Sequence, residues 1–408
     1  MNFELSLPLI WLAIFGVTSL WRLPVIMRKY GWKKSVLVSI LPAYASLSII
    51  WSANKLRGIL TAGVLWLIVF SVINLLNLKF EKAYLKRILM VYLASASVAA
   101  GFCILQCFLD VWGVSREYTL LCPGCIYTTL GFPHANGFAI EPQFMGNLLI
   151  APALIALALF YNAIKLRKSK RSVFGFGGLS FYFIMSLYIC FSRGALYAFG
   201  IAGIVFGIIL LVRERNVKPF WLLVPTVLGL IAGLLIQGVL AEISPTSENF
   251  TQGIQRSIHQ ITMGKIDIRE EIVETGEQSS FTGYIEESTD IRLNITDVAI
   301  QTWRENNIFI GVGIGGAGSA MMNKLGNPKE IIQNEYINIL TELGLIGVII
   351  LIFWAGYVIN ISWRKISILT PVVLAFLITL GFFSGFPNVL HIYLLPPIFY
   401  WFEQKHLI

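Results

Sequence analysis

Between Phe174 and Val212 the chain carries one charged residue, Arg193, set in Phe191-Ser-Arg-Gly-Ala195. An arginine at bilayer depth costs about 3 kcal/mol on insertion scales, so such a residue faces a polar cavity or a partner. Snorkelling to outer headgroups is one reading; a fixed guanidinium for an anionic ligand is the favoured one. Arg292 and Arg304 stand about three turns apart on a helix expected over 291–305, where Ile291, Ile295, Val298, Ala299 and Trp303 recur at helical spacing. That helix is amphipathic enough to lie along a membrane surface. The turn Gly311-Val-Gly-Ile-Gly-Gly316 follows; it suits close approach of backbone either to a ligand or to a neighbouring helix. Within Gln333-Asn-Glu-Tyr-Ile-Asn338, residues Asn334 and Asn338 continue to Glu342 as a polar stripe, with Glu335 and Thr341 adjoining. The stripe must face a bundle interior, as substrate ligands or as an interhelical hydrogen-bond network. Glu141-Pro142 opens another helix, where the carboxylate is either a cap favoured by the macrodipole or a general base. Arg116, in the same outward region 108–146, is a further candidate anion ligand.

These groups need elements to hold them, and the composition says which. The 408 residues are 56% hydrophobic and 13% charged, too apolar for a soluble chain of this length. Charge-poor stretches near 5–21, 35–53, 59–76, 88–107, 141–162, 174–191, 195–212, 219–240, 337–358, 367–384 and 388–402 match the roughly 20 residues a spanning helix takes. The expectation is an all-α polytopic membrane protein of about 11 transmembrane helices. The first stretch follows the acidic Met1-Asn-Phe-Glu4 and lacks a basic leader, so it reads as a retained helix.

Alternate short loops, with the C-terminal tail, hold 20 of the 31 lysines and arginines, which places them in the cytoplasm. The N-terminus, the 108–140 loop and a large outward loop over 241–336 then lie outside. The expected organisation is eight helices in 1–240, the loop 241–336 containing amphipathic helices, and three helices in 337–408.

The net charge of +9 is topological: 241–336 holds 14 acidic and 7 basic residues, the remainder 8 and 24. Anionic headgroups account for the cytoplasmic basic residues, and no nucleic-acid partner is implied. No dinucleotide, P-loop or zinc-ligand pattern occurs. Asp267 to Asp290 is polar enough to be mobile or only locally helical. Cys122-Pro-Gly-Cys125 reads as a loop staple or two free thiols rather than a redox site; Cys103, Cys107 and Cys190 read as packing residues. The sequons at Asn249 and Asn294 carry little weight.

Four segments in this order resemble the O-antigen ligase and O-antigen polymerase superfamily of bacterial inner-membrane glycosyltransferases: Leu47-Ser-Ile-Ile-Trp-Ser52, Ser192-Arg-Gly194, Arg292 through Trp303 to Gly311-Val-Gly-Ile-Gly315, and Gln333 to Gly347. Ligases of this type carry a histidine, then Asn, Ser or Gln, nine residues, and Gly-x-x-Gly. Asn334 and Gly344-Leu-Ile-Gly347 fit that spacing, but Gln333 occupies the histidine position and cannot act as a base near neutral pH. The departure favours a polymerase, with a divergent ligase as the alternative. Glu141-Pro142 looks like the Glu-Pro element of such polymerases.

The resemblance implies a polyprenyl-pyrophosphate-linked oligosaccharide as donor and acceptor, used on the periplasmic face of the inner membrane. A chain-length regulator is a further candidate partner. Arg193 and Arg292 would neutralise the pyrophosphate, so that neither a metal nor another cofactor is required. Glu335 or Glu141 would take the proton of the acceptor hydroxyl. Gln333, Asn334 and Asn338, with Arg304 and Arg116, would contact substrate. A transporter of lipid-linked oligosaccharide is the reading from another class. It predicts an internal inverted repeat and polar residues in both membrane halves, neither of which is evident.

Overall fold

Helices dominate because long apolar runs satisfy every backbone group internally, as a hydrocarbon environment demands. The computed structural model describes residues 7–21, 24–25, 32–78, 80–120, 135–139, 141–215, 218–243, 249–261, 280–326, 332–363, 369–382 and 390–404. Among them every regular element is helical, and seven segments are long and apolar enough to cross a membrane: Lys55–Leu75, Lys82–Val111, Pro142–Lys165, Lys170–Ile189, Arg193–Val212, Lys218–Ile243 and Glu335–Phe353. Each corresponds to one expected span. The other four expected spans coincide with the shorter helices Leu7–Leu20, Trp32–Ser48, Leu369–Leu380 and Leu390–Gln404, of 14, 17, 12 and 15 residues. Among the described residues, length and composition thus bear out seven of the expected crossings.

Local chemistry sets the boundaries. Ser169, Ser192 and Asn54 each accept a hydrogen bond from the backbone N–H three residues on, starting the Lys170, Arg193 and Lys55 helices. Pro142 occupies a first turn, where its missing N–H costs nothing. Large apolar side chains such as Trp11, Ile14, Ile204, Ile208 and Val212 remain exposed on outward helix faces, a cost in water that vanishes against lipid.

By contacts the chain divides into two units, one of residues 1–85 with 291–407 and one of 86–290. In the second, nearly every residue of the Pro142–Lys165 helix from Met145 to Ala163 is buried, as expected for a helix apolar on all sides. Packing rather than water exclusion holds helices together in a bilayer. Small residues serve it: the Cα of Gly233 lies so close to Tyr188 that an added Cβ would meet the ring at 2.8 Å. In the first unit the Lys55–Asn77 helix packs against Leu7–Leu20 and Leu390–Gln404, where the Trp401 indole donates to the Leu75 carbonyl at 2.9 Å.

The amphipathic helix expected from 291 starts earlier and spans Ser280–Glu305. Residues 280–290 are thus helical despite their polar composition, while 267–279, Cys122 and Cys125 lie outside the described residues. Its apolar face does not lie free for a membrane surface. Ile295, Val298 and Ala299 bury themselves against Ala317, Met321 and Ile332, and Ile291, expected on that face, is 52% exposed.

Candidate functional site

In the first unit the site is built around a break in a helix. Glu335–Trp363 departs from helical geometry at Gly344, with φ 65° and ψ −167°. A break orphans the carbonyls of Thr341 and Glu342 and the amides of Leu345 and Ile346, which would otherwise bond one another. The glycine-rich segment takes up all four. Val312 N–H donates to Thr341 O at 3.0 Å, Gly313 N–H to Glu342 O at 2.8 Å, Leu345 N–H to Ile308 O at 3.0 Å and Ile346 N–H to Phe309 O at 3.1 Å.

On its other side the segment meets the motif that ends the second expected span. Ser48 Oγ accepts from the Ile314 amide at 3.0 Å, Ser52 Oγ donates to the Ile314 carbonyl at 2.9 Å, and Ala53 N–H donates to Val312 O at 3.2 Å. Gly311, Gly313 and Gly315 all have positive φ. A Cβ on Gly311 would meet the Thr341 carbonyl at 2.5 Å, and one on Gly315 the Gly58 nitrogen at 2.7 Å. Of the two uses expected for these glycines, the structure displays packing of backbone on backbone.

Glu342 completes this clamp. Its carboxylate is buried, accepts from the amides of Ala317 (3.4 Å) and Gly315, and is attracted by Arg57. Asn54, in the same turn as Arg57, donates to Ser319 Oγ at 3.3 Å. The polar stripe was visible in the sequence, but Arg57, Ser48, Ser52 and Asn54 were not singled out. Their only sequence signal was membership of, or adjacency to, the Leu47–Ser52 motif.

The Gln333–Asn338 turn lies beside this clamp. Asn334 Oδ1 accepts from the amides of Tyr336 (3.0 Å) and Ile337 (3.2 Å) and so caps the helix. Glu335 is 3% exposed, and Asn338 Nδ2 donates to it at 3.4 Å. Gln333 is half-buried. Thr341 Oγ donates to the Ala299 carbonyl at 3.4 Å, which sets the Ser280–Glu305 helix alongside. Arg292 and Arg304 are exposed on that helix. Asn334→Ala is expected to destabilise the fold by about 1 kcal/mol through loss of the cap. A thermal melt of the detergent-solubilised protein measures this, and an unchanged midpoint would contradict it.

Arg116, Glu141 and Arg193 belong to the second unit. Arg116 starts the four-residue helix Arg116–Thr119. Ahead of Glu141, fully buried Gln106 fixes the chain: its Oε1 accepts from Gly137 N–H at 2.8 Å, and its Nε2 donates to the carbonyls of Gly137 (3.1 Å) and Thr119 (2.9 Å). Glu141 is exposed at the N-cap position of the Pro142–Lys165 helix, and its carboxylate makes no capping hydrogen bond.

Arg193 is the first residue of its helix, after a hinge in which Phe191 has φ 50° and Ser192 is buried. A Cβ on Gly146 would lie 2.8 Å from that of Ser192, so the hinge packs on the Pro142 helix little more than a turn from its start. Two helix N-termini with their positive dipole ends thus meet at one arginine, one of whose terminal nitrogens is buried. That is an anion-favouring field. Residues 178–352 match the O-antigen ligase family.

The O-antigen ligase match begins within the span leading to the Arg193 hinge and contains Arg292, Arg304, the glycine-rich segment and Gln333 to Gly347. Glu141, Arg116 and Leu47–Ser52 fall before it. No curated protein matches the chain. Together the apolar helices and the match make this a multi-pass membrane protein in which residues 178–352 are similar to the O-antigen ligase family.

Proposed function

We propose that this protein is a glycosyltransferase that joins polyprenyl-pyrophosphate-linked oligosaccharide repeat units on the periplasmic side of the inner membrane. The observation that carries the reading is the O-antigen ligase match over 178–352. Glutamine at position 333 favours polymerase over ligase, because an amide cannot serve as the base that a ligase histidine supplies.

In this reaction the acceptor hydroxyl attacks the anomeric carbon, the glycosyl–pyrophosphate bond breaks, and polyprenyl pyrophosphate leaves. Arg193 stabilises the charge growing on the leaving group. Arg292 carries the same chemistry on the first unit, and no metal is needed for it. Arg304 and Arg116 are further anion ligands, while Gln333 and Asn338 orient sugar oxygens. Asn334 has its Oδ1 engaged as a cap and its Nδ2 for substrate.

Glu141 takes the acceptor proton in preference to Glu335, because Glu141 is exposed and uncommitted to capping whereas Glu335 is buried and held by Asn338. Glu141→Gln is expected to lower kcat by about 10²–10⁴-fold with little change in KM. The same loss in Glu335→Gln, with Glu141→Gln active, would transfer the role.

Deletion of the gene tests the function itself. Surface lipopolysaccharide capped with a single repeat supports a polymerase. Long chains left on the lipid carrier would instead identify a ligase.

A further inference from the structure

Asn147 and Gln237 are fully buried, and among the described residues none of their four side-chain amide atoms has a hydrogen-bond partner. Both belong to the second unit, on the Pro142–Lys165 and Leu223–Ile243 helices. Buried polar groups are nearly always satisfied, so two complete orphans in one unit need a cause.

Helix register places them at a common height. Gly146, next to Asn147, packs on Ser192 and Ala195. Gly229 packs on Phe181 and Ile184, and Gly233 on Tyr188, so the Leu223 helix runs parallel to the Lys170 helix. One turn beyond Gly233 is Gln237, and one turn beyond Tyr188 is Ser192. The two amides therefore lie at the level of the hinge that carries Arg193. The Phe250–Ile261 helix covers this end: Gly253 packs against the Gln237 carbonyl, and Tyr197 donates to the Ile261 carbonyl at 2.6 Å.

We infer that Asn147 and Gln237 are the hydrogen-bonding residues for the uncharged sugar next to the pyrophosphate of the lipid-linked donor, and so determine its specificity. The inference rests on the donor reading proposed above. An amide presents donors and an acceptor together, which matches a hydroxyl or acetamido group. A phosphate only accepts, and would leave Oδ1 and Oε1 unmatched. Charge is the business of Arg193; the amides have none to offer. A site built to bond hydroxyls discriminates strongly, since a substrate lacking them leaves its buried groups unpaired.

The test compares thermal stabilisation of the purified full-length protein by two lipids, polyprenyl pyrophosphate bearing its repeat unit and the same lipid without sugar. Wild type should be stabilised more by the sugar-bearing lipid. Asn147→Leu and Gln237→Met remove the orphan amides at similar volume; without ligand they should melt at or above wild type, because an unpaired buried amide has been removed.

With ligand, each variant should lose the difference between the lipids and 10- to 100-fold in kcat/KM. Asn147→Ala and Gln237→Ala repeat the comparison if a larger side chain fails to pack. A lipid difference retained in the variants, as when water alone satisfies the amides, overturns the inference. No shift with either lipid in wild type overturns the donor reading and this inference with it.

Discussion

Arg193→Ala is expected to reduce kcat/KM for glycan transfer by about 10²–10³-fold, the range seen when one donor to a developing oxyanion is removed. The loss arises because the pyrophosphate gains negative charge as the glycosidic bond breaks, and the guanidinium at the hinge is positioned before that charge develops. Lysine should restore little of it, since an ammonium cannot reproduce the planar fork that grips two phosphate oxygens.

The position supplies its own control. Arg193 is the first residue of its helix, where a cation opposes the macrodipole by about 0.3–1 kcal/mol, and the cap comes from Ser192 rather than from Arg193. The transfer loss counts against the guanidinium itself when the alanine variant remains monodisperse in detergent. Activity within threefold of wild type, in a purified transfer assay, would remove Arg193 from the machinery.

That residue was legible from sequence because a lone charge in an apolar run has few places to go. The seven longer spans were legible for the same reason: hydropathy over 20 residues reports the solvent directly. Residues 280–290 were not, since their serines and acids mask a helix that continues into the buried Ile295 face. Asn147 and Gln237 also escaped notice. A single amide in an apolar helix is unremarkable until its neighbours are known, and its lack of a partner is a three-dimensional fact. The polar stripe from Asn334 to Glu342 was expected to face inward, and Glu335, Thr341 and Glu342 are buried. What no spacing revealed was the partner of Glu342, because the glycine-rich segment reaches it through backbone amides that every residue possesses.

Gly344 displays the same gap and gives the second large effect. The sequence offered Gly344 only as the first glycine of Gly344-Leu-Ile-Gly347 within a span expected over 337–358, whereas the structure breaks the helix there at φ 65° and ψ −167°, a region essentially reserved for glycine. Gly344→Ala forces a Cβ into the Phe309 carbonyl, with the Ile310 nitrogen only 2.6 Å away. The strained backbone alone costs about 1–3 kcal/mol.

Relaxing toward a continuous helix brings no relief. It withdraws the Thr341 and Glu342 carbonyls and the Leu345 and Ile346 amides from the 308–313 segment, leaving the buried amides of Val312 and Gly313 orphaned at about 1–3 kcal/mol each and the carbonyls of the exposed Ile308 and Phe309 without these donors. Either route consumes a large share of the about 5–15 kcal/mol that stabilises a folded domain, so the variant should accumulate poorly as a monodisperse protein in detergent.

Gly356→Ala, in the same helix with nothing within 4 Å of the added Cβ, should instead be neutral or gain about 0.5–1 kcal/mol. If Gly344→Ala accumulates and melts like wild type, the break is not needed to seat the glycine-rich segment. If it fails while Gly356→Ala does not, the turn that holds Glu335 and Asn338 depends on backbone pairing across the break, and the glycines of 311–315 serve that pairing before any ligand.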